Sequence, residues 1–489
     1  MFVFFKKSVF RQCLAAFGGS LTAMMAGTSY GWITPILIGL LGPKSEVPMT
    51  NDQSSWIISF IELGNLFSPI PAGLLVDRWG RKPCLLITGP IYIASWVLVF
   101  TTRSVNVLYL VRILQGMGMG IVYTVLPMYL GEIASPEIRG ALSTFLDAMC
   151  NTGILFEYCI GPFVSYPSLA LISAGVPVVF LLIFPFMPES PYFLLMHNRR
   201  EAAADSLKWL RGKTDAADVE KELVAMKGSV DEEMKCKSRW RDLVATRVER
   251  RALLIAQVVT VSKSLSGIGA VVSYASQTFA KTADGDPTLL LSPDLHTIIM
   301  GLTIWLVTFV AAVAVDRCGR RPLLLISSTG CSLFMLATAA YYFVDEKTDF
   351  DVDNYSILPF STISAYCIIF SLGLGPLVPT LQAELFPSNT RGLASGLTSV
   401  TDTIASLICM KMYEVIADNV GTFLNFWCFG IFCAIGTVAM YFIVPETKGK
   451  TFHEIQMDLS RKELPKEKLV MKNIGNTNKQ PTNNIQMYS

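Results

Sequence analysis

Twelve times along its 489 residues this chain runs through an apolar stretch of roughly 20 residues, and short clusters of charge separate the stretches. A helix rises about 1.5 Å per residue, so that length matches the roughly 30 Å hydrocarbon core of a bilayer. The stretches fall at 11–35, 54–76, 83–102, 107–131, 140–160, 169–187, 252–276, 296–315, 322–343, 358–383, 392–415 and 423–444. In lipid a lone apolar segment must satisfy its own backbone hydrogen bonds, which only a helix does. The expectation is therefore an all-α membrane protein of twelve transmembrane helices. Composition agrees: 16% of residues are charged, against about 25% in a soluble domain. With a formal net charge of +2 the chain offers no basic surface to a nucleic acid, and the expected surroundings are a lipid bilayer.

The positive-inside rule gives an orientation. Lys6, Lys7, Arg11, the 77–82 cluster, the long stretch 188–251, Arg317, Arg320, Arg321 and the tail after Pro445 share one side if every span crosses. That side, with both termini, is expected to be cytoplasmic. The first span follows three basic residues, and no small-residue cleavage site comes after it, so it reads as a retained helix. The 11 cysteines lack metal or redox spacing, and no disulfide framework is expected. Gly212-Lys213-Thr214 resembles the end of a phosphate loop, but Leu207 stands where that loop needs a glycine. With no nucleophile and base set together either, neither an enzyme, a cofactor nor a metal is expected.

The chain repeats itself. Gly73 to Pro83, with Asp77, Arg78, Gly80, Arg81 and Lys82, recurs 239 residues later as Ala312 to Pro322, with Asp316, Arg317, Gly319, Arg320 and Arg321. Glu132 and Arg139-Gly140 recur as Glu384 and Arg391-Gly392, and Pro188-Glu189-Ser190 as Pro445-Glu446-Thr447. Three pairs in one order mean a duplicated six-helix unit. The expected organisation is a first half at 1–187, a linker of short helices at 188–251, a second half at 252–444 and a largely disordered tail at 445–489. Halves related by an axis along the membrane normal, with a site between them at mid-depth, form a plan for alternating access. The repeated charges then read as a gate: Asp77, Arg78, Arg81, Glu132, Arg139 and Glu189 facing Asp316, Arg317, Arg320, Glu384, Arg391 and Glu446. The plainer alternative is that they anchor helix ends and set topology.

These loops, the Pro-Glu-Ser-Pro and Pro-Glu-Thr-Lys-Gly signatures and Gly116-Met-Gly-Met-Gly120 resemble, together and nearly end to end, the sugar porter family of the major facilitator superfamily. Ala26 to Trp32 and Asn151 to Leu155 are most similar to its insect facilitated trehalose transporter branch. The resemblance implies the major facilitator fold of two pseudo-symmetric halves, a sugar as substrate, and the plasma membrane as location. Oligomeric state is left open.

The positions that carry the family's sugar contacts depart from its pattern. Where the seventh helix usually reads Gln-Gln-Leu-Ser-Gly-Ile-Asn, this chain has Lys263-Ser264-Leu265-Ser266-Gly267-Ile268-Gly269. A contact glutamine aligns with Asp147, an asparagine with Asp402, and the tryptophan of the tenth-helix motif with Pro379. Amides suit sugars because each offers a hydroxyl both a donor and an acceptor. An ionised group at mid-membrane needs a partner or a wet cavity. Asp147 and Lys263 are expected either to pair or to bind a polar solute jointly; Asp402 is an alternative partner for the lysine. Asn151, one turn from Asp147, and Tyr274, three turns beyond Lys263, extend the same face, although Tyr274 serves packing equally well. Substrate contacts are thus placed at Asp147, Asn151, Lys263, Ser264, Gly269, Tyr274, Pro379 and Asp402.

For energy coupling, the family's usual first-helix acid aligns with Ser29, while its partner Arg112 is kept. The three histidines lie in loops or at span ends, so uncoupled facilitated diffusion is expected, with a proton route through Asp147 as the alternative. A sensor that carries no solute is a further alternative, prompted by the lost amides. Asn354-Tyr355-Ser356 is a glycosylation sequon in a loop expected outside the cell.

Overall fold

The computed structural model describes residues 7–461, apart from 44, 136, 213–215, 236–239, 284–291, 351–354, 356, 387 and 451. Among the described residues the regular structure is helical throughout, without a strand. Ten helices among the described residues are long and apolar enough to cross a membrane: spans 1 (Ser8–Leu41), 3 (Arg81–Thr101), 4 (Val105–Ile133), 6 (Tyr166–Phe186), 7 (Arg247–Ser273), 8 (Pro293–Val315), 9 (Arg320–Lys347), 10 (Ile357–Leu385), 11 (Thr390–Asn419) and 12 (Thr422–Ile443). Span 2 is a bent pair, Asn51–Phe67 and Pro69–Trp79, meeting at 43°. Pro69 lacks the N–H that a continuous helix needs, which explains the bend.

Span 5 is the 22-residue helix Arg139–Ile160, long enough to cross at about 33 Å. It is less apolar than the others because it carries Asp147, Asn151, Thr152 and Glu157. Polarity inside a span of full length marks the helix that faces a partner or water rather than lipid. The twelve spans meet the expected count.

Local chemistry sets several helix boundaries. Thr50 with Gln53 and Thr246 with Glu249 form reciprocal capping boxes that start spans 2 and 7. Span 7 breaks at Gly267, whose φ of +88° lies in the left-handed region that favours glycine. Spans 2 and 4 pack with almost nothing between their backbones: a Cβ on Gly116 would lie 1.9 Å from the Ile61 carbonyl oxygen. Spans 1 and 5 do the same at Gly27, where a Cβ would lie 2.0 Å from the Cys150 carbonyl oxygen. In lipid, such small-residue contacts supply the van der Waals packing that hydrophobicity cannot. Exposed Leu74, Leu182, Leu333 and Val438 present the outer surface to lipid.

The linker forms helices Pro191–Met196, Arg200–Arg211 and Ala216–Lys235 around its own small core of Phe193, Leu195, Leu207, Val219 and Leu223. It is fastened to the first half. Arg11 Nη1 donates to the Trp209 carbonyl at 3.1 Å, and Arg211 Nη1 to that of Ile133 at 3.0 Å. Part of the tail is also ordered as helix Phe452–Arg461, held to span 7 by Arg251 Nη1 donating to Leu459 O at 2.6 Å. Residues 462–489 of the tail, and Asn354 and Ser356 of the sequon, lie outside the described residues.

Candidate functional site

Lys263, one turn before the break in span 7, directs its ammonium at span 11: Nζ donates to Asp402 Oδ2 at 3.0 Å. The Ser264 hydroxyl donates to the other Asp402 oxygen. Both side chains keep partial access to water, 27% and 32% exposed, so the pair borders a wet space rather than a sealed core. Asp147 faces that space from span 5, exposed and within electrostatic reach of Lys263, Tyr123 and Cys150, but it forms no ion pair within 4 Å among the described residues. The expected Asp147–Lys263 pair is therefore corrected. The lysine is neutralised within its own half, and the Asp147 carboxylate has no ion-pair partner among the described residues.

Around this centre, Asn151 Nδ2 donates to the Thr308 hydroxyl at 2.9 Å, and Trp305 Nε1 to the Thr152 hydroxyl at 2.9 Å, joining spans 5 and 8. Asn65 Nδ2 lies 3.2 Å from both the Glu62 carboxylate and the Thr403 hydroxyl, joining spans 2 and 11. Gly269 gives Tyr30 room: a Cβ there would sit 2.9 Å from the Tyr30 hydroxyl. Pro379 is exposed on the helix Leu374–Leu385. Tyr274 is fully buried and stacked on Tyr413, with ring centroids 4.6 Å apart. It is a packing residue in this arrangement and not part of the wet wall.

Arg112 is wholly engaged in structure. Its Nε donates to Ile57 O at 2.9 Å, and its Nη1 to the Ser29 carbonyl and to Gln115 Oε1, while the Trp32 ring lies 5.9 Å away. The guanidinium thus ties spans 1, 2 and 4 through backbone acceptors.

The repeated charges build the same small network twice. In the first half, Arg81 donates to Glu132 at 2.8 and 3.0 Å and sits 3.8 Å from Asp77; Ser190 donates to Glu132, and Glu189 accepts from the Lys82 and Ser190 backbone N–H groups. In the second, Arg320 donates to Glu384 at 3.0 Å, and Thr447 donates to Glu384 at 2.6 Å. Glu446 accepts from the N–H groups of Arg320, Arg321, Thr447 and Lys448. Burial lifts the Glu189 carboxyl above its ordinary range, and its backbone donors do not offset this. Glu446 is less buried, so burial raises it less than its four N–H donors lower it, and it sits below that range. These pairs lie within each half, not across the halves. Arg78, Arg139, Arg317 and Arg391 stand nearby and form no ion pair among the described residues, and the Asp316 side chain lies outside them.

At the face opposite the linker the halves are fastened together. Thr34 donates to the Val272 and Ser273 carbonyls at 3.1 Å, and Tyr158 to Val272 at 2.7 Å. Lys411 Nζ donates to Asp52 Oδ1 at 2.6 Å and to the Ser55 hydroxyl at 2.7 Å. The hydrogen bonds described between the halves all lie at mid-depth or toward this face. Sequence reasoning missed this set. The available signal was Lys411, a cation near the end of an apolar span, with Asp52 in the facing loop.

Residues 13–459 match the family model described as sugar (and other) transporter. The chain belongs to that family. Among relatives, the facilitated trehalose transporter Tret1 of Bombyx mori is 30% identical over 478 residues, covering 98% of this chain and 91% of that protein. The Tret1 proteins of Culex quinquefasciatus and Aedes aegypti are each 32% identical, over 92% of this chain and 86% and 55% of theirs. The fold is similar to that of the major facilitator superfamily proton:xylose symporter XylE bound to 6-bromo-6-deoxy-D-glucose, with a TM-score of 0.73 at 21% identity over 92% of this chain and 99% of that one. An inward open conformation of XylE from E. coli gives 0.74 at 22% over the same shares. This sugar-transporter family member therefore has the major facilitator fold, and its family is one of membrane carriers, not enzymes.

Proposed function

We propose that this family member carries a neutral, hydroxyl-rich solute, trehalose or a hexose-like sugar, by alternating access between its two halves. The observation that carries the reading is the solvent-accessible group of polar side chains at mid-depth, with Asp147 free on one wall and the Lys263–Asp402 pair on the other. Carboxylates accept hydrogen bonds from sugar hydroxyls and the ammonium donates to their oxygens, so charged groups can replace the family's amides. Asn151, Ser264 and Gly269 complete the proposed contacts, and the twin charge networks with Arg78, Arg139, Arg317 and Arg391 form the gate that closes the linker face. The excess of Lys and Arg supports a cytosolic position for that face, and the plasma membrane is the proposed location.

Transport is uncoupled on this reading. It is supported by Ser29 standing where the family's acid stands and by Arg112 being occupied by backbone carbonyls. A second reading, proton coupling, is favoured by one observation, the open Asp147 carboxylate. Uptake that does not change with an imposed pH gradient removes it. The site itself is tested with Asp147→Ala and Asn151→Ala, measuring uptake and surface expression separately. Each lost hydrogen bond to a charged group is worth about 1.5–3 kcal/mol, so the Asp147 variant should reach the membrane and lose roughly 10- to 100-fold in uptake. Normal uptake at normal expression would remove Asp147 from the site.

A further inference from the structure

The contacts at the face opposite the linker differ in kind. Thr34 and Tyr158 reach backbone carbonyls through neutral hydroxyls, whereas Lys411 carries a full charge across the boundary between halves to a residue 359 positions away. Its ammonium is enclosed by the Asp52 carboxylate at 2.6 Å, the Ser55 hydroxyl at 2.7 Å and the Trp56 ring, whose centroid lies 4.3 Å away. Such a distance over an indole face adds cation–π attraction. The lysine side chain is only 15% exposed, although Asp52 is 71% exposed. Asp52 stands in the first turn of the helix Asn51–Phe67, where the N-terminal dipole favours a negative charge, and the capped Thr50 fixes that turn. About two turns beyond Lys411, Asp418 accepts from Asn51 Nδ2 at 3.3 Å and continues the seam along spans 2 and 11. The related seam between spans 5 and 8 is joined at mid-depth by neutral partners, Asn151 with Thr308 and Thr152 with Trp305.

We propose that Asp52, Trp56 and Lys411 form a latch whose release opens the face opposite the linker, and that it sets the balance between the two orientations of the transporter. The inference rests on the alternating-access reading given above. Lys411 belongs to the second half and Asp52, Ser55 and Trp56 to the first, so separating spans 2 and 11 at this end breaks every one of these contacts at once. The latch is also reversible in water: Asp52 stays largely solvated, and salt screens an exposed pair.

Spin labels at Ser104 and Val420, both exposed at this face and on different halves, report its opening directly in purified full-length protein whose native cysteines have been made silent. The readout is a distance, so it is independent of which solute is carried. Lys411→Gln should raise the population of the longer distance about fivefold or more, in the range of ordinary coupling between sites. Lys411→Arg, which retains the charge and can stack on Trp56, should keep the wild-type distribution. Asp52→Asn and Trp56→Leu should each shift it in the same direction as Lys411→Gln, and remain informative if the glutamine variant fails to fold. Raising salt to about 1 M should open the wild type and leave Lys411→Gln unmoved. A wild-type distribution in well-folded Lys411→Gln or Asp52→Asn protein overturns the latch. A shift in distance with no sugar flux would keep the latch and sink the sugar reading instead.

Discussion

An ionised side chain at mid-membrane costs about 2.5–3.5 kcal/mol on insertion scales, and Lys263 meets that cost with Asp402. Removing one member of a fully buried pair costs about 3–5 kcal/mol, and partial solvation reduces the loss here. Asp402→Ala should therefore lower the melting temperature of detergent-purified protein, and the double variant Lys263→Met with Asp402→Leu should recover most of it. Equal losses in the single and double variants would show that the pair is not the cause. Both charges were legible in the sequence as departures from the family pattern. Which acid the lysine meets was not, because helical periodicity assigns a face and not a distance across the cavity. Tyr274, left open between cavity and packing, resolves to packing for a related reason: three turns of phase were counted through Gly267, and its φ of +88° interrupts the helix between the two residues.

At the scale of helices, close backbone packing and the duplicated networks give opposite kinds of test. Gly116→Ala forces a Cβ to within 1.9 Å of a carbonyl oxygen on span 2, an overpacking expected to cost about 1–3 kcal/mol. Gly175→Ala in span 6, where a Cβ meets nothing within 4 Å, should be neutral or mildly stabilising by the same melting assay. The two network glutamates should respond to pH with opposite sign. Glu446 has its carboxyl depressed, so its contribution is present above the ordinary carboxylate range and is lost as pH falls through the folded value. Glu189 has its carboxyl raised, so the folded state holds that proton more tightly and acid relieves the cost of burying its charge. Glu446→Gln should thus be more harmful at pH 7 than near pH 4, and Glu189→Gln harmless or stabilising at pH 7. Loss of the same size in both at pH 7 would contradict this. The repeated spacing made the members of these networks readable from sequence. It did not reveal that they bond within each half, since repeat symmetry is equally satisfied by contacts inside a unit and between units.

For the whole molecule, the twelve spans and the duplication were readable because bilayer thickness fixes helix length and the repeats share one order. The fastening of the opposite face was not, because Asp52 and Lys411 are distant in sequence and outside the repeats. On the proposed reading, an open linker face and a latched far side form one state of the carrier, with Asp147 offered to the solute. The most direct measurement is uptake of labelled trehalose and hexoses into liposomes containing the purified protein. A carrier of this kind gives saturable flux for at least one of these sugars, unchanged by a pH gradient and competed by its unlabelled form. Flux no greater than that of empty liposomes, across disaccharides, hexoses and polyols, would contradict it.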